Sequence, residues 1–121
     1  MRSRREDQGV DPNRDFAYSR RDSNCLRSAT ARTLYRIIEA GLIQIVVTFH
    51  GGMVAIGYEW GSGNHPSPKD RSPDDTANKE IAVNMRNFAG TFPGEQMYPV
   101  NAINSIVYPV EGGMEVGKGE G

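Results

Sequence analysis

Gly9-Val10-Asp11-Pro12-Asn13-Arg14-Asp15-Phe16 is the stretch from which the organisation of this chain can be worked out. It places an amide and a guanidinium side by side after a turn-forming Asp-Pro pair. Arg14 can offer two parallel N–H donors to a planar anion, and Asn13 can add a third donor from its amide. The pair therefore predicts a site for a carboxylate such as a peptide C-terminus. The alternative is that both are ordinary loop residues that bond to nearby carbonyl groups and water.

The segment after this stretch predicts a helix followed by a buried strand. From Ser28 to Ala40 the apolar residues recur every three or four positions, which predicts an amphipathic helix that ends at Gly41. Residues 42–49 form a near-continuous apolar run, as expected of a central strand covered on both faces. The apolar stripe of the helix comprises Ala31, Leu34, Ile37, Ile38 and Leu42.

The remainder of the chain predicts a strand, a loop, a helix and a last strand. Residues 54–60 are predicted to form a strand, and residues 61–73, with three prolines and two glycines, a surface loop. Asp74 or Ser72 can cap the next helix, which Gly90 ends. Residues 100–110 then supply a short strand, so the order of elements predicts an α/β fold. The inward stripe of the second helix is predicted to be Ala77, Ile81, Met85 and Phe88.

Three segments, in this order, resemble the zinc metallocarboxypeptidases, the carboxypeptidase A and B family. The opening stretch is similar to the family's Asp-x-Asn-Arg-Asn-Phe signature, with Pro12 at the variable position and Asp15 in place of the usual Asn. Residues 46–51, Val-Val-Thr-Phe-His-Gly, resemble the strand that ends in the third zinc ligand. Residues 105–115, Ser-Ile-Val-Tyr-Pro-Val-Glu-Gly-Gly-Met-Glu, resemble the segment that carries a mobile substrate-binding tyrosine. The resemblance implies a partial α/β/α sandwich around a mixed sheet, a fragment of the zinc carboxypeptidase fold.

The resemblance implies that the partner is the C-terminus of a peptide or protein substrate. Asn13 and Arg14 would bind its terminal carboxylate, and Tyr108 would close over the bound residue. Glu115 would lie where the family tunes its specificity pocket, and an acid there would favour a C-terminal Lys or Arg. From the residues alone, the alternatives are a core aromatic at Tyr108 and a solvated carboxylate at Glu115.

The resemblance also implies zinc as cofactor, with His50 as one of three protein ligands. Arg4, or Arg5 as the near alternative, would polarise the scissile carbonyl group; from the residues alone, both are frayed terminal charges. The family's His-x-x-Glu pair is not found, because the only histidines are His50 and His65 and neither has Glu three residues later. Catalytic zinc takes three protein ligands plus water, so we expect this chain alone to bind zinc weakly and to lack activity.

The chain is expected to be the central portion of a longer domain. Residues 1–115 are interpreted as a partial zinc carboxypeptidase domain, and the family's catalytic glutamate would lie beyond Gly121. The polar, Gly-rich residues 116–121 depart from the family's pattern and are predicted to form a disordered tail.

The composition of the chain bears on which classes of partner it could bind. The chain has 121 residues, 37% apolar residues and a net charge of −1, which gives no argument for binding nucleic acid or an anionic membrane. No apolar run reaches the about 18 residues that a membrane-spanning helix needs. A single cysteine, Cys25, excludes an internal disulfide. Family members are often secreted or lysosomal, but the start of the chain lacks the apolar stretch of a signal peptide, so the compartment stays open, as does the oligomeric state.

Three functions remain in competition. The first is a zinc exopeptidase that hydrolyses the C-terminal peptide bond, represented by an incomplete segment. The second is a catalytically dead module that binds peptide C-termini through Asn13, Arg14 and Tyr108 without metal. The third is a chain with no folded function, because an interrupted sheet exposes unpaired edges and apolar faces.

Overall fold

A computed structural model describes residues 9–17, 24–41, 43–65, 67 and 69–114. They divide into two compact units, one made of residues up to Phe49 together with those from Glu111 onward, the other of His50–Val110. In chain order the elements are a short 3-10 turn at Pro12–Arg14, helix α1 (Ala29–Glu39), strand β1 (Ile56–Tyr58), helix α2 (Asp75–Phe88), strand β2 (Val100–Ala102) and helix α3 (Ile103–Ile106). The predicted α/β class is confirmed. The proposed single domain over residues 1–115 stays a prediction, and the tail at 116–121 lies outside the described residues.

Helix α1 forms where the sequence predicts it, in the first unit. Ser28 is its N-cap, with extended backbone and a hydroxyl that accepts from the backbone N–H of Ala31 at 3.1 Å. Ala31 is fully buried, and Leu34 and Ile38 are half-buried, whereas Ile37 is largely exposed. Gly41 follows the helix with a positive φ of 71°. The predicted stripe therefore lies on the correct side of the helix, but its burial is greatest near the N-terminus, next to the Ser28 cap.

The predicted central strand over residues 42–49 is wrong. Leu42 lies outside the described residues, and residues 43–55 contain neither helix nor strand. An apolar, β-branched run becomes a central strand only when neighbouring strands on both sides pair with its backbone. The described sheet has only two strands, which pair with each other, so this run has no such neighbours in the described part of the chain.

The second unit is built on a parallel strand pair joined through a helix. β1 and β2 pair in parallel with Ile56 opposite Val100 and Tyr58 opposite Ala102. Parallel neighbours need a long crossover connection, and α2 lies within that connection. The core of the unit is formed by Tyr58 from β1, Ala82 from α2 and Ala102 from β2, flanked by Ile56 and Val100.

The strands of this unit are shorter than predicted. Only Ile56–Tyr58 of residues 54–60 is a strand, and after Val100–Ala102 the chain turns at once into α3. The described part of the predicted loop at 61–73 contains no helix or strand, as expected. No helix in the described residues is long and apolar enough to cross a bilayer.

The inward stripe predicted for α2 is wrong, although the helix itself is confirmed. Phe88 is 91% exposed, and Ile81 and Met85 are each 36% exposed, whereas Ala82 is buried. The two short strands cover little of the helix surface, and the small side chain of Ala82 allows close packing against Tyr58 and Ala102. Hydrophobic periodicity identified the helix but not its buried side, because burial depends on the area that the sheet offers.

Candidate functional site

The Asn13–Arg14 pair lies on a backbone turn fixed by a local cap. Asp11 precedes the turn, and its Oδ1 accepts from the backbone N–H of Asn13 at 3.0 Å. The backbone N–H of Arg14 donates to the carbonyl oxygen of Asp11, also at 3.0 Å. Pro12 occupies the first turn, where its missing N–H costs no hydrogen bond. The Asp-Pro pair thus shapes the turn that carries the predicted anion-binding residues.

A second segment, Gly112–Met114, is tied to this turn. The backbone N–H of Phe16 donates to the carbonyl oxygen of Gly112 at 2.9 Å, and that of Met114 donates to Oδ1 of Asn13 at 3.2 Å. Oδ1 of Asn13 is therefore used as an acceptor within the protein. The side chain can then act on a ligand as a donor through Nδ2, which is the role predicted for it.

Gly112 is required by the close approach of the two segments. Its φ is +67°, and a Cβ atom there would lie 2.6 Å from the carbonyl oxygen of Arg14 and 3.2 Å from that of Phe16. A non-glycine residue would meet both an unfavourable backbone conformation and a backbone clash. In the sequence, the Gly112-Gly113 pair stood out only as part of the family resemblance, and this role was missed. A glycine pair far from any helix end was the available signal.

Arg14 is the exposed member of the pair. Its side chain lies on the surface, and Nη1 donates to the backbone carbonyl oxygen of Asn13. This bond holds Nη1 of the guanidinium against the backbone of the turn that carries Arg14. The guanidinium carries five N–H donors in one plane, a geometry that matches the two oxygens of a carboxylate.

Asp15, next to Arg14, is buried and links the turn to α1. Its carboxylate accepts from the backbone N–H of Arg27 at 3.0 Å, the backbone N–H of Ser28 at 2.6 Å and the Ser28 hydroxyl at 2.8 Å. Its backbone carbonyl oxygen accepts from the N–H of Leu26 at 2.6 Å. Leu26 has a positive φ of 55°, uncommon for a residue with a side chain. The carboxylate of Asp15 therefore organises the whole approach to α1.

These contacts set the ionisation of Asp15. Burial alone opposes the charged form, but the backbone donors of Arg27 and Ser28, the Ser28 hydroxyl and the charge of Arg27 together outweigh it. The pKa of Asp15 is consequently lowered below the ordinary value of an aspartate. In the sequence, Asp15 stands out only as a replacement for the Asn of the family's motif. Its structural role was missed because its partners lie 12 and 13 residues away and follow no local pattern.

Two of the predicted site residues, His50 and Tyr108, belong to the second unit. His50 is exposed on an irregular segment, so its predicted position at the end of a strand is wrong, although its role as a ligand stays a prediction. Tyr108 follows α3 and is 53% exposed, which differs from a core aromatic. Arg4, Arg5 and Glu115 lie outside the described residues, so their roles also stay predictions.

His65 lies within the predicted surface loop at residues 61–73, but its side chain is not exposed. It is half-buried, and its ring stacks on that of Trp60 with centroids 4.2 Å apart and planes inclined by 10°. Its backbone carbonyl oxygen accepts from the side chain of Asn104, which also donates to the carbonyl oxygen of Ser62. The described contacts of His65 are thus those of a structural residue.

The similarity of this chain to known proteins covers nearly its whole length. A family model described as zinc carboxypeptidase matches residues 1–116. The chain belongs to the zinc carboxypeptidase family. Comparison with curated proteins and with solved structures gives no match. The family assignment made from the three motifs is therefore confirmed, and the α/β architecture agrees with a fragment of the carboxypeptidase fold.

Zinc is the cofactor of this family, but the described residues do not fit it. They contain no group of three or more His, Cys, Asp or Glu side chains that could hold a metal ion. A catalytic zinc site needs three protein ligands that converge on one point. In the described part of the chain, hydrogen bonds hold the Asn13–Arg14 turn in place, whereas no group of side chains that could hold a metal ion is assembled.

The charge of Asp15 gives a prediction about stability. Because the pKa of Asp15 is lower in the folded state than in the unfolded chain, its contribution is fully present above the unfolded value, about 3.9. It is lost as the pH falls through the folded value. We expect Asp15→Asn to lower the free energy of unfolding by about 2 kcal/mol at neutral pH, since an amide cannot replace an ionised acceptor of three donors. The difference from the wild type should shrink in acid.

The measurement is urea unfolding of both proteins, followed by circular dichroism, at a series of pH values between about 7 and about 3. Taking the difference cancels the carboxylates that the two proteins share. A difference that stays constant with pH would show that the ionised form of Asp15 does not stabilise the fold.

Gly112 gives a second prediction, with Gly41 as a matched control. Gly41 has a similar positive φ of 71°, but a Cβ atom added there would meet no other atom within 4 Å. We expect Gly41→Ala to cost about 1 kcal/mol of unfolding free energy from backbone strain. Gly112→Ala should cost about 1–3 kcal/mol more, because its Cβ also meets the carbonyl group of Arg14. Equal losses in the two variants, measured by urea unfolding, would mean that the two segments are not in close contact.

Proposed function

We propose that this chain recognises the carboxylate end of a peptide or protein through Arg14, assisted by Asn13. The observation that carries the proposal is the support of the Asn13–Arg14 turn from three directions: the Asp11 cap, the Gly112–Met114 segment and the Asp15 carboxylate bonded to the start of α1. A rigid backbone loses little entropy when a ligand binds. An exposed arginine on such a turn is suited to a planar, bidentate anion.

The two acidic neighbours of the pair do not oppose an anionic ligand strongly. Asp11 accepts from the backbone N–H of Asn13, and Asp15 is buried among the donors of Arg27 and Ser28. Both carboxylates therefore have donors within the protein, and the guanidinium of Arg14, one of whose nitrogens donates to the carbonyl oxygen of Asn13, lies at the surface. This arrangement favours a carboxylate over a neutral ligand at Arg14.

Family membership supports further roles as parts of the same proposal. Tyr108, exposed in the second unit, would close over the terminal residue of the substrate. Glu115 would favour a C-terminal Lys or Arg, and Arg4 would contact the last peptide carbonyl group. His50 would serve as a metal ligand only together with ligands that the described residues do not supply.

The test compares peptides that differ only at their C-terminus. Arg14→Ala should weaken binding of a fluorescent peptide with a free carboxylate by about 10- to 100-fold, as expected for a lost charge-assisted hydrogen-bonded pair. Binding of the amidated peptide should change much less. The affinity of Arg14→Lys for the peptide with a free carboxylate should lie between those of the wild type and Arg14→Ala. Lysine keeps the positive charge but lacks the paired N–H donors of the guanidinium.

Arg36→Ala is the matched control, since Arg36 is also an exposed arginine, located on α1. This variant should bind both peptides as the wild type does. If Arg14→Ala affects the free and amidated peptides equally, Arg14 does not bind the terminal carboxylate. If Arg36→Ala weakens binding as much, the attraction comes from the general charge of the surface.

The family match favours a second function, hydrolysis of the C-terminal peptide bond. The two functions differ in their need for metal. Recognition through Arg14 uses no metal, so a zinc chelator should leave the affinity of the protein for the peptide unchanged. With zinc added, the protein should release no C-terminal amino acid from the peptide. Release of that amino acid with zinc, abolished by the chelator and measured by chromatography, would instead support the hydrolase function.

A further inference from the structure

The segment that carries Tyr108 is fixed at both ends to neighbouring residues of the second unit. At its start, the backbone N–H of Asn104 in α3 donates to the carbonyl oxygen of Trp60 at 3.0 Å. At its end, the backbone N–H of Val110 donates to the carbonyl oxygen of Gly61 at 3.3 Å. Because the two acceptors are adjacent in the chain, Tyr108 lies on a loop whose two ends are held side by side.

The side chain of Asn104 also binds the segment to which these ends are fixed, residues 60–65. Its Nδ2 donates to the carbonyl oxygen of Ser62 at 3.0 Å and to that of His65. Both partners are acceptors, so the amide contributes its N–H donors there. The rings of Trp60 and His65 stack within the same segment, and Trp60 is buried. Asn104 therefore contacts residues 60–65 through its backbone and its side chain.

Tyr108 itself lies on a short interval between fixed residues. The backbone N–H of Val107 donates to the carbonyl oxygen of Ile103 at 2.9 Å, which extends the hydrogen bonding of α3. Val110 is buried, whereas Tyr108 and Pro109 between them are exposed. The ring of Pro109 further restricts this part of the backbone. The position of the phenol therefore depends on how the two ends of its loop are held.

We propose that Asn104 is a positioning residue for Tyr108. Its amide nitrogen holds residues 60–65 in the conformation to which both ends of the Tyr108 loop are bonded. A side chain that binds a ligand is effective when surrounding hydrogen bonds fix its position. The inference rests on the proposed function for the role of Tyr108 at a peptide terminus, and Asn104 acts on that peptide only through Tyr108.

The experiment introduces fluorotyrosine into the intact chain and follows the tyrosines by fluorine NMR. The signals of Tyr108 and of Tyr58, which lies in the core of the unit, are assigned from their loss in the two Tyr→Phe variants. Asn104→Asp keeps the shape of the side chain but removes both N–H donors. The Tyr108 signal should then shift toward its position in the urea-unfolded protein, while the Tyr58 signal stays in place.

Asn101→Asp is the matched control, because Asn101 is half-buried like Asn104 and the change adds the same negative charge. Oδ1 of Asn101 accepts from the backbone N–H of Ala102 at 2.9 Å, and a carboxylate keeps that acceptor. Both tyrosine signals should stay at their wild-type positions. The proposal is overturned if the Tyr108 signal does not move in Asn104→Asp, or moves as far in Asn101→Asp.

Asn104→Ala removes the donors without adding a charge, and it replaces Asn104→Asp if that variant does not fold. The same shift of the Tyr108 signal alone is expected. If the Tyr58 signal also moves to its unfolded position in Asn104→Ala, Asn104 supports the whole unit and the proposal is wrong.

Peptide binding gives a second measurement. Asn104→Asp and Tyr108→Ala should each weaken binding of the peptide with a free carboxylate by about 2- to 10-fold, as expected for a lost neutral hydrogen bond. In the Tyr108→Ala protein, Asn104→Asp should have no further effect, because it acts through the missing phenol. Additive losses would contradict the proposal. A wild type that binds no peptide would contradict the proposed function alone, since the NMR measurement uses no peptide.

Discussion

The buried carboxylate of Asp15 is the interaction on which the first unit depends. It gathers three donors from residues 27 and 28 and so fixes the point at which α1 begins. Ser28 then does two tasks with one hydroxyl: it donates to Asp15 and accepts from the N–H of Ala31 as the helix cap. A buried aspartate is tolerated only when its charge is satisfied in this way. The positive φ of Leu26 is maintained because the neighbouring backbone is held on both sides of it.

The same residue connects fold to site. Asp15 lies between Arg14, which faces solvent, and Phe16, whose backbone N–H bonds to Gly112. Anchoring this short stretch therefore orders the Asn13–Arg14 turn and the Gly112–Met114 segment together. In the family's usual motif an Asn stands at this position, and an amide would present one acceptor oxygen and an N–H group to three donors. The ionised carboxylate suits the surroundings found in this chain better.

How much of this the sequence could predict depended on the range of the interactions involved. α1 was predictable because its cap and its apolar stripe are local signals, and the Asn13–Arg14 pair was visible as a motif. The bond from Met114 to Asn13 spans 101 residues and left no signal in the spacing. Residues 42–49 were predicted as a strand because their composition favours one, but pairing requires partners that composition does not reveal. The prediction of the buried side of α2 was wrong for a related reason. Ala82 is less apolar than Ile81, but Ala82 is buried because Tyr58 and Ala102 lie against it.

The proposed recognition of a carboxylate and the catalysis of the family differ in the range of the contacts that each requires. Holding a carboxylate requires two adjacent side chains on one supported turn, and a local cap with a few backbone hydrogen bonds provides that support. Holding a catalytic zinc ion requires three protein ligands to converge on one point, and in this family they come from segments far apart in the sequence. The described sheet consists of two strands of three residues each, and His50 lies on an irregular segment outside it. The proposed recognition of a chain end therefore depends on much less of the fold than the metal chemistry of the family does.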